Sequence, residues 1–108
     1  MNNVITNQPE KCGQALTALQ SVVDPEIGLN IVDLGLLYQV DFDEADKKVY
    51  VSMTLTTAFC PMGDSIRCNA VGALQQAFPG YGIHLELVFD PPWNAGRISE
   101  QGREFLNQ

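Results

Sequence analysis

The chain has 108 residues, 45% hydrophobic and 18% charged, a balance that excludes intrinsic disorder and fits one domain over residues 1–108. Thirteen acidic against six basic residues give a formal net charge of -7, and the basic side chains are scattered apart from Lys47 and Lys48, so a nucleic-acid partner is not expected. No apolar run is long enough to span a bilayer and the opening MNNVITNQPEK lacks a secretory apolar core, so no membrane association and a cytoplasmic location are expected.

Asn7-Gln8-Pro9-Glu10 reads as a helix start with Asn7 as cap. Cys12, Ala15, Leu16, Leu19, Val22 and Val23 then follow the spacing of a buried helical face. Asp24-Pro25 ends that helix, because proline disfavours helical geometry in the residue before it. From Asp24 to Gly35 the chain is loop-like and polar at Asp24, Glu26, Asn30 and Asp33. Leu36, Tyr38, Val40 and Phe42 alternate as in a strand, and Asp43 to Lys48 forms a charged turn. Val49, Val51, Met53 and Leu55 alternate with polar residues, which completes an antiparallel hairpin with one buried and one wet face. Pro61 suits the first turn of a second helix, whose apolar stripe is Met62, Ile66, Ala70, Ala73, Leu74 and Ala77. Pro79-Gly80 stops it, Leu85, Leu87 and Phe89 form a third strand, Asp90 to Trp93 is a stiff loop, and Ser99 caps a short last helix ending near Leu106. The order α-β-β-α-β-α predicts a two-layer α/β fold with a small mixed three-stranded sheet and helices mainly on one face.

Three cysteines, an odd number, argue against a disulfide framework. Cys60 and Cys68 on one helix would stand roughly 12 Å apart at a rise of about 1.5 Å per residue, too far to bridge. Cys12 and Cys68 read as packing residues. Cys60 is different, because it lies between a strand and Pro61. Unpaired N–H groups and the helix dipole at such a position favour a thiolate, the form that a nucleophile or metal ligand requires. The opposing reading is a small buried hydrophobe. The carboxylates Asp24, Glu26 and Asp33 either orient a partner, bind a metal or act as acid and base, or else form turns and face solvent. His84, the sole histidine, reads as locally hydrogen-bonded rather than ligating. Trp93 is a lid, a partner anchor or a cover for the edge of the core.

Three segments together resemble a known family: DPEIGLNIVDLGLLY (Asp24 to Tyr38), MTLTTAFCPMGDSI (Met53 to Ile66) and LVFDPPWNAGRISEQGR (Leu87 to Arg103). They look like the SufT/PaaD-like, or MIP-eighteen-like, iron–sulfur cluster assembly domains, over about residues 16–103. That resemblance implies a fold related to the C-terminal domain of NifU-type scaffolds, and a role in maturing iron–sulfur proteins. It implies that the reactive cysteine of the family falls on Cys60, in the element Thr57-Ala58-Phe59-Cys60-Pro61, with Thr57 beside it. The acidic loop falls on Asp24, Glu26 and Asp33, and a partner-contacting closing segment on Pro92, Trp93, Arg97 and Ser99. Phe59 departs from the small residue that many relatives have before the cysteine. The cysteine-rich extension of the phenylacetate-oxygenase accessory branch is not matched, so that branch is not expected.

A single thiolate does not hold a cluster alone. If Cys60 ligates an iron–sulfur cluster transiently, other ligands come from a homodimer, a partner or a small thiol. The expected partners are assembly proteins and client apoproteins. Two alternatives remain at this point: a non-ligating adaptor that docks clients and scaffolds, and a thiol enzyme with Cys60 as nucleophile and Asp24 or Glu26 as acid–base partner. Assembly or docking needs no turnover, so an enzyme is not expected.

Overall fold

A computed structural model describes residues 4–25, 27–56, 63–90 and 92–106. In chain order these form β1 (Ile5–Thr6), α1 (Pro9–Leu19), β2 (Leu37–Asp43), β3 (Lys48–Met53), α2 (Gly63–Ala77), β4 (Gly82–Leu87), a single 3-10 turn (Ala95–Arg97) and α3 (Glu100–Leu106). The expected α/β order is present, with one further short strand. The sheet order is β1-β2-β3-β4, with β1–β2 and β3–β4 parallel and β2–β3 antiparallel.

Asn7 explains the extra strand and corrects the expected helix cap. Its side chain does not cap α1, whose N-cap is Gln8 without a side-chain hydrogen bond. Instead Asn7 Nδ2 donates to Phe42 O and Phe42 N–H donates to Asn7 Oδ1, both at 2.9 Å. An amide side chain thus continues the ladder where the backbone leaves the sheet, pinning β1 beside β2. Pro9 opens α1, where its missing N–H costs nothing.

The buried face of the sheet is Leu37, Val40, Phe42, Val49, Val51, Met53 and Leu85. Against it pack Cys12, Ala15, Leu16 and Leu19 of α1 and Ile66, Ala70 and Leu74 of α2, from the stripes that the spacing predicts. Val22 and Val23, expected on the same helical face, lie beyond α1, which ends at Leu19 rather than at Asp24; Val22 is buried, but Val23 bridges Asn30 and is exposed. Ala73 is half-buried, Ala77 is exposed and Met62 lies outside the described residues. On the other face, Asp41, Tyr50 and His84 stand in one cross-strand row, and the Tyr50 and His84 rings stack at 5.2 Å. A charged cluster ties α1 to the hairpin: Lys11 Nζ bonds Glu44 and lies 3.1 Å from Tyr81 Oη, which donates to Glu44 at 2.6 Å.

The alternation expected from Leu36 through Phe42 is broken by a bulge. Leu37 pairs with Met53 but Gln39 pairs with Ser52, so Tyr38 is an additional residue in β2. Leu36 and Leu37 are both buried as a result. Phe89, expected in the last strand, lies beyond it and is 43% exposed.

Candidate functional site

The polar loop between α1 and β2 is a folded structure with its own hydrogen bonds. Val23 bridges Asn30, Asp24 N–H donates to Leu29 O at 3.0 Å, and Ile31 N–H donates to Val22 O at 2.9 Å. Asp24 is 2% exposed, and its carboxylate accepts from Ile27 N–H at 3.3 Å. Its carbonyl accepts from Gly28 N–H at 2.7 Å. Asp24 therefore acts as a turn-forming residue, which is one of the two roles the sequence left open.

Asp33 holds the other limb of the loop. Its N–H donates to Asn30 Oδ1 at 2.9 Å, and Asn30 Nδ2 donates back to Asp33 Oδ2 at 2.7 Å. The second carboxylate oxygen, Oδ1, accepts from Ser99 Oγ at 2.8 Å, and Asp33 O accepts from Ser99 N–H at 2.8 Å. Ser99 Oγ also accepts from Gly102 N–H at 3.0 Å, so Ser99 caps α3 as its position predicts.

The segment after β4 is clamped over the same loop at three points. Trp93 Nε1 donates to Leu34 O at 2.6 Å. Arg97 Nε donates to Gly35 O at 2.7 Å and its Nη2 to Leu37 O at 3.3 Å, with the guanidinium 4.4 Å from the centre of the Tyr38 ring. The bulge turns Tyr38 out of the ladder and gives Arg97 this aromatic face, an attraction of roughly 0.5–2 kcal/mol. Gly35 allows the close approach: its φ is +77, and a Cβ there would stand 2.3 Å from Arg97 O.

The structure thus brings Asp33, Trp93, Arg97 and Ser99 into one constellation and leaves Asp24 in a turn of its own. Asn30, Gly35 and Tyr38 belong to that constellation and were not singled out as site residues. The visible signals were an Asn three residues before Asp33 and the Asp-Leu-Gly turn at Asp33 to Gly35. Beside it, a cleft of about 490 Å³ is lined by Gly13, Leu16, Thr17, Val32, Asp33 and Ser99. Thr54, buried, donates its N–H to Leu36 O at 2.8 Å, so the exit of β3 adjoins the loop.

Glu26, Thr57 and Cys60 lie outside the described residues. Cys12 is buried as expected, and burial pushes its thiol pKa up. Cys68 corrects the reading of a packing residue: it is on the exposed side of α2. It occupies neither of the positions at Ile66 and Ala70 that face the sheet. Among the described residues, no group of three His, Cys, Asp or Glu side chains is placed to hold a metal ion.

Residues 13–83 match the family described as iron–sulfur cluster assembly protein. The chain belongs to that family. It is 38% identical over 86 residues to the Fe-S protein maturation auxiliary factor YitW of Bacillus subtilis (strain 168), covering 80% of this chain and 83% of that protein. It is 35% identical over 82 residues to the Fe-S protein maturation auxiliary factor SufT of Staphylococcus aureus (strain USA300), covering 76% of this chain and 92% of that one. The crystal structure of a domain of unknown function, DUF59, from Bacillus anthracis superposes with a TM-score of 0.86 at 33% identity, covering 93% of this chain and 94% of its own. For this iron–sulfur assembly family member, the resemblance read in the three sequence segments and the α/β fold are both shown.

Proposed function

We propose that the chain is an auxiliary factor in the maturation of iron–sulfur proteins, with Cys60 as the thiolate that meets the cluster as cargo. The observation that carries this reading is the family match over residues 13–83, which spans both the acidic loop and the Thr57 to Pro61 element. The relatives named above carry the same description, and an auxiliary role needs no turnover. Its partners are assembly proteins and client apoproteins, and its setting is the cytoplasm, where thiols stay reduced. Among the described residues no helix is long and apolar enough to cross a membrane.

The chemistry follows from the position of Cys60 before a helix. Residues 63–77 are helical, and the N–H groups at a helix start favour the deprotonated sulfur. Because one thiolate is an incomplete ligand set, the cluster is held only while a partner, a second chain or a small thiol supplies the rest. Incomplete ligation suits transfer, since the cargo leaves without a full protein cage being dismantled. In this reading Asp24, Glu26 and Asp33 of the acidic loop, together with Thr57, serve the same role as Cys60. Support comes from the Thr54–Leu36 hydrogen bond, which joins the approach to Thr57 and Cys60 to the loop holding Asp33. Trp93, Arg97 and Ser99 hold that loop, and the outer faces of Trp93 and Arg97 meet the partner.

Anaerobic reconstitution with iron and sulfide tests the reading, with wild type and Cys60→Ala compared by visible absorption and bound iron. Cluster absorption lost in Cys60→Ala is the expected result. Equal absorption in both proteins, or full rescue of a maturation-deficient strain by Cys60→Ser, would refute direct ligation.

A further inference from the structure

The two ends of the sheet differ in a way that the family role does not explain. At one end β1 is only two residues long, too short to offer a pairing edge. At the other end is β4, Gly82–Leu87, with six residues and no further strand beside it among those described. Its sequence GIHLEL contains no Pro or Lys, the residues that commonly blunt such an edge.

The hydrogen bonds fix which groups this edge presents. Gly82 N–H donates to Lys47 O and Val88 N–H to Met53 O, each at 2.8 Å. Alternate residues in a strand point their backbone groups to opposite sides, so Gly82, His84, Glu86 and Val88 address β3. Ile83, Leu85 and Leu87 therefore direct their N–H and C=O groups outward. Arg67 Nη2, 3.5 Å from Leu85 O, reaches this edge from α2 through a long and weak contact.

We propose that the β4 edge pairs with β4 of a second copy of this chain, antiparallel and centred on Leu85. In that register Leu85 faces Leu85 of the second copy, and Ile83 faces Leu87. All these residues have outward backbone groups, giving about six inter-chain hydrogen bonds in three mutually exchanging pairs. The same register sets His84 opposite Glu86 in the intervening non-hydrogen-bonded pairs, where Cα atoms are only about 4.5 Å apart. Twofold symmetry repeats the His84–Glu86 pair, in which an imidazole N–H can donate to the carboxylate, so the strand complements itself in backbone, apolar and polar positions at once.

Self-complementarity is what selects a second copy over an unrelated extended peptide. A shift of the register by one residue would oppose inward-facing to outward-facing backbone groups, and a shift by two would separate His84 from Glu86. Local charge helps as well. The chain carries -7 overall, yet Arg67 offsets Glu86 at this edge, so the edge is not uniformly acidic. The product is one continuous sheet running through both chains.

Sedimentation velocity over a concentration series of the full chain, up to the millimolar range, tests the proposal with wild type, His84→Glu and the double variant His84→Glu/Glu86→Lys. Both positions of change, His84 and Glu86, are on exposed side chains. Wild type is expected to dimerise reversibly. His84→Glu sets two like-charge pairs across the symmetry axis and raises the dimer Kd roughly tenfold, and the double variant restores it. In amide hydrogen exchange, protection at Ile83, Leu85 and Leu87 should rise with protein concentration while that at His84 and Glu86 stays constant. A wild type that remains monomeric throughout, a dimer indifferent to His84→Glu, or edge-amide protection independent of concentration would each overturn it. These readouts use no iron or sulfide, so they stand or fall separately from the role of Cys60.

Discussion

Replacing Gly35 by alanine should destabilise the chain much more than the same change at Gly28, although both glycines have positive φ, +77 and +82. At Gly28 a Cβ meets nothing within 4 Å, so only the left-handed backbone is penalised, at about 1–2 kcal/mol. At Gly35 the Cβ would fall 2.3 Å from Arg97 O and 2.6 Å from Arg97 Cβ. Backbone cannot rotate aside as a flexible side-chain end can, so residues 95–98 must move away. That movement breaks the bond of 2.7 Å from Arg97 Nε to Gly35 O, a charge-assisted interaction of roughly 1.5–3 kcal/mol. Adding strain and the lost bond gives about 3–5 kcal/mol for Gly35→Ala. At about 4–8 °C per kcal/mol for a domain of this size, its Tm should fall at least roughly 6 °C below that of Gly28→Ala. Thermal denaturation and urea unfolding of the two variants side by side measure the gap. Equal destabilisation within about 1 kcal/mol would refute the close docking of the closing segment on the acidic loop.

Trp93→Phe keeps a ring but leaves Leu34 O without its donor, and should cost about 1–3 kcal/mol in urea unfolding; no change would mean that the indole N–H is not needed there. Ser99→Ala removes both the bond to the Asp33 carboxylate and the cap of α3, with an expected loss of about 1–2 kcal/mol and early loss of protection at Gly102 N–H in hydrogen exchange. Hydrogen bonds from Lys11 and Tyr81 hold the Glu44 pKa below the usual carboxylate range. Glu44 therefore contributes stability that is complete above that range and is lost as pH falls through its lowered value, so Glu44→Gln should flatten the acid limb of stability against pH. In a Cys60→Ala background, iodoacetamide should label Cys68 in the native state and Cys12 only on unfolding, since Cys68 is exposed and burial raises the Cys12 thiol pKa; native labelling of Cys12, read by peptide mass, would contradict its placement.

The helices and the hairpin were legible because their apolar residues recur at periods that allow one buried face. Ile66, Ala70 and Leu74, or Val49, Val51 and Met53, have no other way to share a core. The bulge at Tyr38 was not legible, because an inserted residue in a strand leaves the local composition unchanged and is decided by what lies across the ladder. For the same reason Asn7 looked like a cap: its amide serves a helix N-terminus and a strand edge equally well, and Phe42 settles the choice from far along the chain. Asp33 and the closing segment were named from the family motifs, but nothing in their spacing said that Ser99 and Asp33 would meet. Cys68 was misassigned because cysteine is usually a buried residue, whereas its place two residues from both Ile66 and Ala70 sets it on the far side of α2.

The loop around Asp33 is encoded in the first third of the chain, but the groups that fix it, Trp93, Arg97 and Ser99, are made close to the end. During synthesis the hairpin and α1 can form while Leu34 O, Gly35 O and the Asp33 carboxylate still await their partners. The long separation makes this the slow, high-contact-order part of folding. A chain cut before Trp93 therefore lacks the three side chains that tie down Leu34 O, Gly35 O and the Asp33 carboxylate, whatever becomes of its core.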